Sequence, residues 1–194
     1  MPEQLSLAGF DTWSHPTHGL FFAIRPDADA GARIAQHAQR LRDEYGLKGS
    51  PLATKRFHVS LHRLGGRAEL PHDIVALASE AAASVTMPPF EVRFDRAMSF
   101  RGRPGSRPLV LLGSDGVAAL IAFQQILGTA MKQTGLGRWV DADYKPHLTL
   151  LYDSRSLAEQ RVEPVSWTVR EFVIVHSLLG QSRHSVLGRW LLRG

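Results

Sequence analysis

Cysteine is absent from the 194 residues of the chain. This absence excludes a disulfide framework, thiolate metal sites and a cysteine nucleophile. The sequence also lacks a run of about 18 apolar residues, so we predict no membrane span. Residues 1–15 have neither the basic start nor the apolar stretch of a secretory signal, so we expect a cytoplasmic protein of bacterial type. Polar and small residues dominate positions 1–16, which we expect to be only partly ordered.

Basic residues exceed acidic ones, which gives a formal net charge of +5 and a pI near 10.1. Three arginines, Arg101, Arg103 and Arg107, lie in a stretch rich in glycine and proline that is typical of a loop. A basic surface suits an anionic partner such as a nucleotide or RNA. A genomic preference for arginine on solvated faces explains the same composition equally well. The charge alone therefore does not identify a partner.

An internal repeat organises the chain. The apolar pattern predicts a strand at 20–24, an amphipathic helix at 27–45 and a strand at 57–61. The same order recurs as a strand at 109–112, a helix at 117–134 and a strand at 146–150. Gly46 and Gly135 mark the two helix ends, and they are displaced by 89 positions (135 − 46), as are the strands. Two such units packed about a pseudo-twofold axis would bury each other's apolar faces.

The remaining pattern predicts a helix at 71–85 and strands at 90–94, 167–170, 172–175 and 186–192. The strand at 90–94 is expected to extend towards residue 100. These segments supply further elements to each half of the repeat.

Each second strand of the repeat carries a histidine followed two residues later by a hydroxyl. His58 precedes Ser60, and His147 precedes Thr149, again displaced by 89 positions (147 − 58). Alternate residues of a strand share a face, so the twofold arrangement would place two imidazoles and two hydroxyls around one site. One imidazole can take a proton while the other gives one, and the hydroxyls can hold phosphate oxygens. The alternating partners, predicted to face the core, are Val59, Leu61, Leu148 and Leu150.

These residues also have other interpretations. A single histidine on a strand is usually an ordinary polar residue, but two at matching repeat positions favour a shared function. His58 and His62 have a spacing that would suit zinc on a helix, but in a strand their positions lie about 13 Å apart. The glycines of 102–105 lack the order of a phosphate-binding loop, which argues against a nucleoside triphosphatase.

The segments FHVSLHRLG at 57–65 and KPHLTLL at 145–151 resemble the two signature strands of the 2H phosphoesterase superfamily. This superfamily includes the RNA 2′,3′-cyclic phosphodiesterases, also called 2′-5′ RNA ligases. The resemblance implies an α+β fold of two pseudo-symmetric lobes, with antiparallel sheets lining a central cleft and helices outside. It implies hydrolysis of 2′,3′-cyclic phosphates of RNA ends or nucleotides to 2′-phosphates, with 2′-5′ RNA ligation as the reverse reaction. It also implies no metal and no other cofactor, His58 and His147 as the catalytic pair, and Ser60 and Thr149 as phosphate-binding hydroxyls.

The sequence departs from the family's common pattern at three positions. Ser60 stands in place of threonine, His62 where lysine is frequent, and Tyr152 where RNA-directed members often have arginine. We predict that His62, Tyr152, Tyr144 and Lys145 contact the substrate. Two alternatives stay open: a non-catalytic module that binds RNA or nucleotides, and a phosphoesterase acting on another small cyclic phosphate.

The predicted organisation is one 2H phosphoesterase domain over residues 1–194. Its first-motif lobe is centred on 50–66 and its second-motif lobe on 140–153. We expect a monomer, with an RNA end or a nucleotide carrying a 2′,3′-cyclic phosphate as its partner.

Overall fold

A computed structural model describes residues 18–103, 105–178, 181 and 183–194 of the chain. The expectation for residues 1–16 lies outside the described residues. Among the helices in these ranges, none combines the length and apolar character that a membrane span requires. The elements are β1 His18–Ile24, α1 Ala28–Glu44, β2 Val59–Arg67, α2 His72–Ala83, β3 Phe90–Ser99, β4 Arg107–Leu112, α3 Ala118–Gln133, β5 His147–Asp153, β6 Gln160–Val169, β7 Glu171–Leu178 and β8 Arg183–Leu191.

The strands form one antiparallel sheet in the order β6-β3-β4-β5-β2-β1-β7-β8. It consists of two four-stranded halves, which meet where β2 pairs with β5 through Val59 and Leu148. Each half contains the two strands of one repeat unit, β1 with β2 or β4 with β5, and two further strands. The predicted α+β class with antiparallel strands is confirmed, and the two halves join into a single continuous sheet.

Equivalent helix ends in the structure are also 89 positions apart. The helix α1 ends at Glu44 and α3 ends at Gln133, and each is followed by a glycine with positive φ, Gly46 at 60° and Gly135 at 84°. Glycine adopts this conformation without steric cost, so it ends a helix cleanly. At its start, α1 is capped by the Asp27 carboxylate, which accepts a hydrogen bond of 2.8 Å from the backbone N–H of Ala30.

Both second strands contain a β-bulge at equivalent positions. In β2, Ser60 pairs with Ala23 but His62 pairs with Phe22, so Leu61 is the extra residue. In β5, Thr149 and Leu151 pair with consecutive residues of β4, so Leu150 is the extra residue. A bulge places two successive side chains against one partner residue and breaks the simple alternation of faces. The strict alternation assumed from the sequence beyond Ser60 is therefore wrong.

The strand β2 also runs past the predicted stop at Gly65 and Gly66, as far as Arg67. A second irregularity lies between its pairs Arg63–Phe21 and Gly66–Gly19. Gly65 has a φ of 84° at this point, a conformation that accommodates a bulge in a strand. The glycines bend the strand rather than end it.

The helices α1, α2 and α3 contribute to one apolar core with the sheet. Val59, Leu61, Leu148 and Leu150 are at most 2% exposed and belong to this core, as predicted. The helix α1 contacts β5 and β6 of the other half, so both halves share one core. A smaller apolar cluster, formed by Phe21, Ala23, Val173 and Val175, lies apart from this core. The residues that alternate with the core positions of β2 and β5 face away from the helices and line an open cleft.

Candidate active site

The junction of the two half-sheets brings both motifs together. The antiparallel pairing of Val59 with Leu148 places Ser60 opposite His147 and Thr149 opposite His58. The four side chains line one cavity of about 470 Å³. The histidines occupy diagonal corners, and diagonal neighbours across a strand pair lie about 7–8 Å apart. This spacing leaves room for a phosphate group between the two imidazoles.

The two histidine rings are fixed in the same way. Nδ1 of His58 donates a hydrogen bond of 2.7 Å to the carbonyl oxygen of Arg56, and Nδ1 of His147 donates one of 2.7 Å to that of Lys145. Because a carbonyl oxygen can only accept, Nδ1 carries the proton and Nε2 is left for the substrate. An aromatic ring supports each imidazole: Phe21 lies 4.9 Å from His58, and Phe100 lies 5.1 Å from His147, measured between ring centroids.

His58 is electrostatically disfavoured from carrying a charge. Burial is the main cause that lowers the pKa of this imidazole to about 4, and electrostatic repulsion from His184, Arg63 and His147 acts in the same direction. The hydrogen bond to the Arg56 carbonyl acts in the opposite direction but does not offset them. His58 is therefore neutral at neutral pH, with a free electron pair on Nε2.

The twin bulges bring Arg63 and Tyr152 into the cleft. These residues are displaced by 89 positions (152 − 63) and both line the cavity. Tyr152 is 48% exposed and lines the cleft, and its contact with the substrate stays a prediction. Arg63 was missed by sequence reasoning, because strict alternation from His58 and Ser60 points it towards the core. Tyr152 stands where the second motif of the family often has an arginine, and the equivalent position of the first motif is occupied by Arg63.

His62 does not lie in the cleft, contrary to the sequence-based placement. The bulge turns it towards α3, where it is 1% exposed. Its Nε2 lies 2.9 Å from the Gln124 carbonyl oxygen, and the backbone N–H of Asp141 donates to its Nδ1 at 3.2 Å. Burial lowers its pKa. These contacts make His62 a link between the sheet and the helix layer.

Tyr144 and Lys145 are not among the residues that line the cavity in the described part of the chain. Tyr144 packs against the core, and burial raises the pKa of its hydroxyl. Lys145 is exposed, and its backbone carbonyl orients His147. Neither side chain is brought to the catalytic corners.

A third histidine lies beside the pair. His184 of β8 packs edge-on against His58, with ring centroids 5.4 Å apart, and also contacts Phe21 at 5.6 Å. It has no equivalent in the repeat, so no sequence signal linked it to the motifs. Arg56 and Arg63 line the same cavity and make it basic. No carboxylate occurs among the described residues that line the cavity. An anion is therefore the ligand this cleft favours.

Crystal structures of three proteins share this fold. One described as a phosphoesterase has a TM-score of 0.66 and 25% identity, with 91% of this chain and 99% of that chain covered. Escherichia coli LigT in apo form has a TM-score of 0.67 and 24% identity, covering 93% and 100%. The protein TT0787 of Thermus thermophilus has a TM-score of 0.66 and 24% identity, covering 91% and 98%.

Among curated proteins, none matches this sequence. The sequence model of the 2′-5′ RNA ligase superfamily matches residues 26–181. This range includes both histidine motifs and most of the sheet. The chain therefore belongs to the 2′-5′ RNA ligase superfamily within the 2H phosphoesterases, a superfamily of phosphoesterase-type enzymes.

Proposed function

We propose that the chain is a metal-independent phosphodiesterase that hydrolyses 2′,3′-cyclic phosphates of RNA ends or nucleotides to 2′-phosphates. The observation that carries the proposal is the pairing of β2 with β5, which sets two imidazoles and two hydroxyls around one cavity. Hydrolysis of a cyclic phosphate requires one proton acceptor and one proton donor on opposite sides of phosphorus. Two histidines at diagonal corners meet that requirement.

His58 is the base in this scheme and His147 the acid. Neutral His58 has a free electron pair on Nε2, because its Nδ1 proton is engaged by the Arg56 carbonyl. Nε2 of His58 takes a proton from water as the water oxygen bonds to phosphorus. The bond between phosphorus and O3′ breaks, and Nε2 of protonated His147 gives its proton to O3′. The product is a 2′-phosphate with a free 3′-hydroxyl, and exchange of protons with solvent restores both imidazoles.

The remaining cleft residues stabilise the negative charge on the phosphate. The hydroxyls of Ser60 and Thr149 donate hydrogen bonds to the non-bridging oxygens, where charge is held through the transition state. Arg63 adds a positive charge on the same face of β2. Charge-assisted hydrogen bonds from a guanidinium are among the stronger ones in proteins. Arg63 thereby supplies the cation that the second motif lacks at Tyr152.

A nucleotide substrate is supported by the cleft and by relatives. The exposed ring of Tyr152 offers a surface on which a base can stack. LigT of Escherichia coli has been crystallised in complexes with 3′-AMP, ATP and NADP⁺. Joining of RNA ends through a 2′-5′ bond is the same displacement with a 5′-hydroxyl in place of water: the 5′-oxygen bonds to phosphorus, the bond to O3′ breaks, and the same two imidazoles transfer the protons.

The test is turnover of adenosine 2′,3′-cyclic phosphate in the presence of EDTA, with the product identified by chromatography. We expect the 2′-phosphate from the wild type and a loss of kcat/KM of about 10²–10⁴-fold in His58→Ala and in His147→Ala. The buried His62→Ala variant, if folded, reports the effect of removing a histidine outside the cleft. Full turnover in either catalytic variant would overturn the proposal. Salt-sensitive nucleotide binding without turnover would favour a non-catalytic binding module. Turnover of other small cyclic phosphates but not of this nucleotide would show that the substrate belongs to a different class.

A further inference from the structure

A second cavity adjoins the catalytic cleft at His58. It has a volume of about 460 Å³ and shares Arg56, His58 and His184 with the catalytic cleft. We call it the basic pocket. Its lining consists of Arg25, Lys55, Arg56, Phe57, His58, Val175, Arg183, His184 and Val186. Because the two cavities meet at shared residues, one extended ligand can occupy both.

The charge of the basic pocket is not compensated by the protein. Four of its residues are lysine or arginine, and none of its described lining residues is acidic. Within the described ranges, the ion pairs of the chain join Arg96 with Asp95, Arg96 with Glu159 and Arg189 with Glu171. None of these pairs involves a cation of the basic pocket. Clustered like charges repel one another, so an anion bound among them is stabilised.

One of the cations is held by a hydrogen bond and another is partly buried. Nη2 of Arg25 donates a hydrogen bond of 2.8 Å to the carbonyl oxygen of Lys55. Nε of Arg56 is buried and has no hydrogen-bond partner in the described part of the chain. Burial is the largest cause that lowers the pKa of His184, and the positive charges of Arg56 and Arg25 lower it as well. Arg25 and Arg56 therefore both act on His184, which lines the basic pocket and the catalytic cleft.

We propose that the basic pocket binds a second phosphate of the substrate while the first one reacts between His58 and His147. The guanidinium groups suit this ligand, because their planar fork matches phosphate oxygens and keeps its charge at all relevant pH values. The inference rests on the proposed function and makes it more specific. The preferred substrate is a nucleotide or oligonucleotide that carries a phosphate in addition to the cyclic one.

The second phosphate has two chemical sources. It is the 5′-phosphate of a cyclic mononucleotide, or it is the phosphodiester that joins the terminal nucleotide to the rest of an RNA chain. Three substrates separate them: adenosine 2′,3′-cyclic phosphate, its 5′-phosphorylated derivative, and a dinucleotide that ends in a 2′,3′-cyclic phosphate.

The kinetic test compares kcat/KM for these substrates in the wild type, Lys55→Ala and Arg183→Ala. Both residues are exposed and neither belongs to the catalytic corners. We expect the wild type to prefer at least one substrate with a second phosphate by about tenfold, which corresponds to 1.4 kcal/mol. Each variant should reduce this preference several-fold and leave turnover of the one-phosphate substrate within about twofold of the wild type.

Arg161→Ala is the matched control. Arg161 is an exposed arginine on β6, at the opposite edge of the sheet from Arg183 on β8. This variant removes the same net charge and should keep the wild-type preference. Equal rates for all three substrates in the wild type, or equal losses on all of them in the variants, would overturn the proposal.

A binding measurement separates failure of the basic pocket from failure of the proposed function. Calorimetry compares adenosine 2′-phosphate with adenosine 2′,5′-bisphosphate, neither of which needs to react. Tighter binding of the bisphosphate that is lost in Arg183→Ala supports the basic pocket even if no cyclic phosphate is turned over. Equal affinities for the two ligands, combined with normal turnover of cyclic phosphates, reject the basic pocket and leave the proposed function intact.

Discussion

The carboxylate of Asp153 connects the two halves of the molecule. Asp153 ends β5, is 4% exposed and accepts three backbone hydrogen bonds: from Lys48 at 2.5 Å, from Gly49 at 2.6 Å and from Arg155 at 2.8 Å. The first two donors belong to the segment that leads towards His58. Burial alone raises the pKa of Asp153, but the three N–H groups outweigh it, so the pKa lies below its usual value.

We predict that Asp153→Ala destabilises the protein by about 3 kcal/mol. The substitution leaves three N–H groups without their acceptor, at a cost of about 1–3 kcal/mol each, and water entering from the nearby surface recovers part of it. For a chain of this size, 1 kcal/mol shifts the Tm by about 2–4 °C, so the expected decrease is about 6–12 °C. Asp153→Asn keeps one acceptor oxygen, so its Tm should lie between those of Asp153→Ala and the wild type.

Thermal and urea unfolding measured by circular dichroism test this prediction, with the exposed Asp143→Ala as the control. The contribution of Asp153 is fully present above the unfolded pKa, near 3.8, and is lost on acidification below it, because the folded-state pKa is the lower one. The Tm values of wild type and Asp153→Ala should therefore converge in acid. A Tm of Asp153→Ala within about 2 °C of the wild type at neutral pH would refute the reasoning.

Three further predictions follow from the site and its supports. The acidic limb of kcat/KM should have its midpoint near pH 4, since the neutral form of His58 is required and its folded-state pKa is about 4; a midpoint near 6.5, measured where the fold is intact, would contradict the assignment. Arg63→Ala should lower kcat/KM by about 10–100-fold, because a charged phosphate contact is lost. Tyr152→Phe keeps the aromatic ring and should change kcat/KM little. Equal effects of the two variants would contradict the role of Arg63 in phosphate binding. Gly49→Ala should lower the free energy of unfolding in urea by about 1–3 kcal/mol, because the added Cβ would lie 1.9 Å from the Tyr152 carbonyl oxygen. Gly31→Ala has no atom within 4 Å of the added Cβ and should instead stabilise α1. An unchanged free energy of unfolding in Gly49→Ala would show that the backbone around Gly49 shifts without cost.

The sequence predicted the arrangement of the repeat because that information is local. Apolar periodicity located α1 and α3 within one or two residues of their bounds, Ala28–Glu44 and Ala118–Gln133. The constant offset paired His58 with His147, and period-2 alternation assigned Ser60 and Thr149 to the same face. The structure places all four around one cavity, while their chemical roles remain predictions.

The bulges could not be predicted from the same pattern. The segment from His58 to Arg63 fits a regular strand as well as a bulged one, and one extra residue moves every later side chain to the other face. His62 was consequently expected to contact the substrate and Arg63 was missed, whereas the structure buries His62 and places Arg63 in the cleft. His184 and Arg183 lie on β8, and their approach to His58 depends on the order of strands in the sheet rather than on any spacing in the sequence.

The most direct test of the account uses a 2′,3′-cyclic substrate in which sulfur replaces the bridging O3′. A thiolate leaves without being protonated, so the substrate no longer needs an acid but still needs a base. The account predicts that single-turnover rates of His147→Ala return to within about tenfold of the wild type on this substrate, while His58→Ala stays about 10²–10⁴-fold slower. Rescue of His58→Ala instead would reverse the two roles, and rescue of neither variant would contradict proton transfer by this pair.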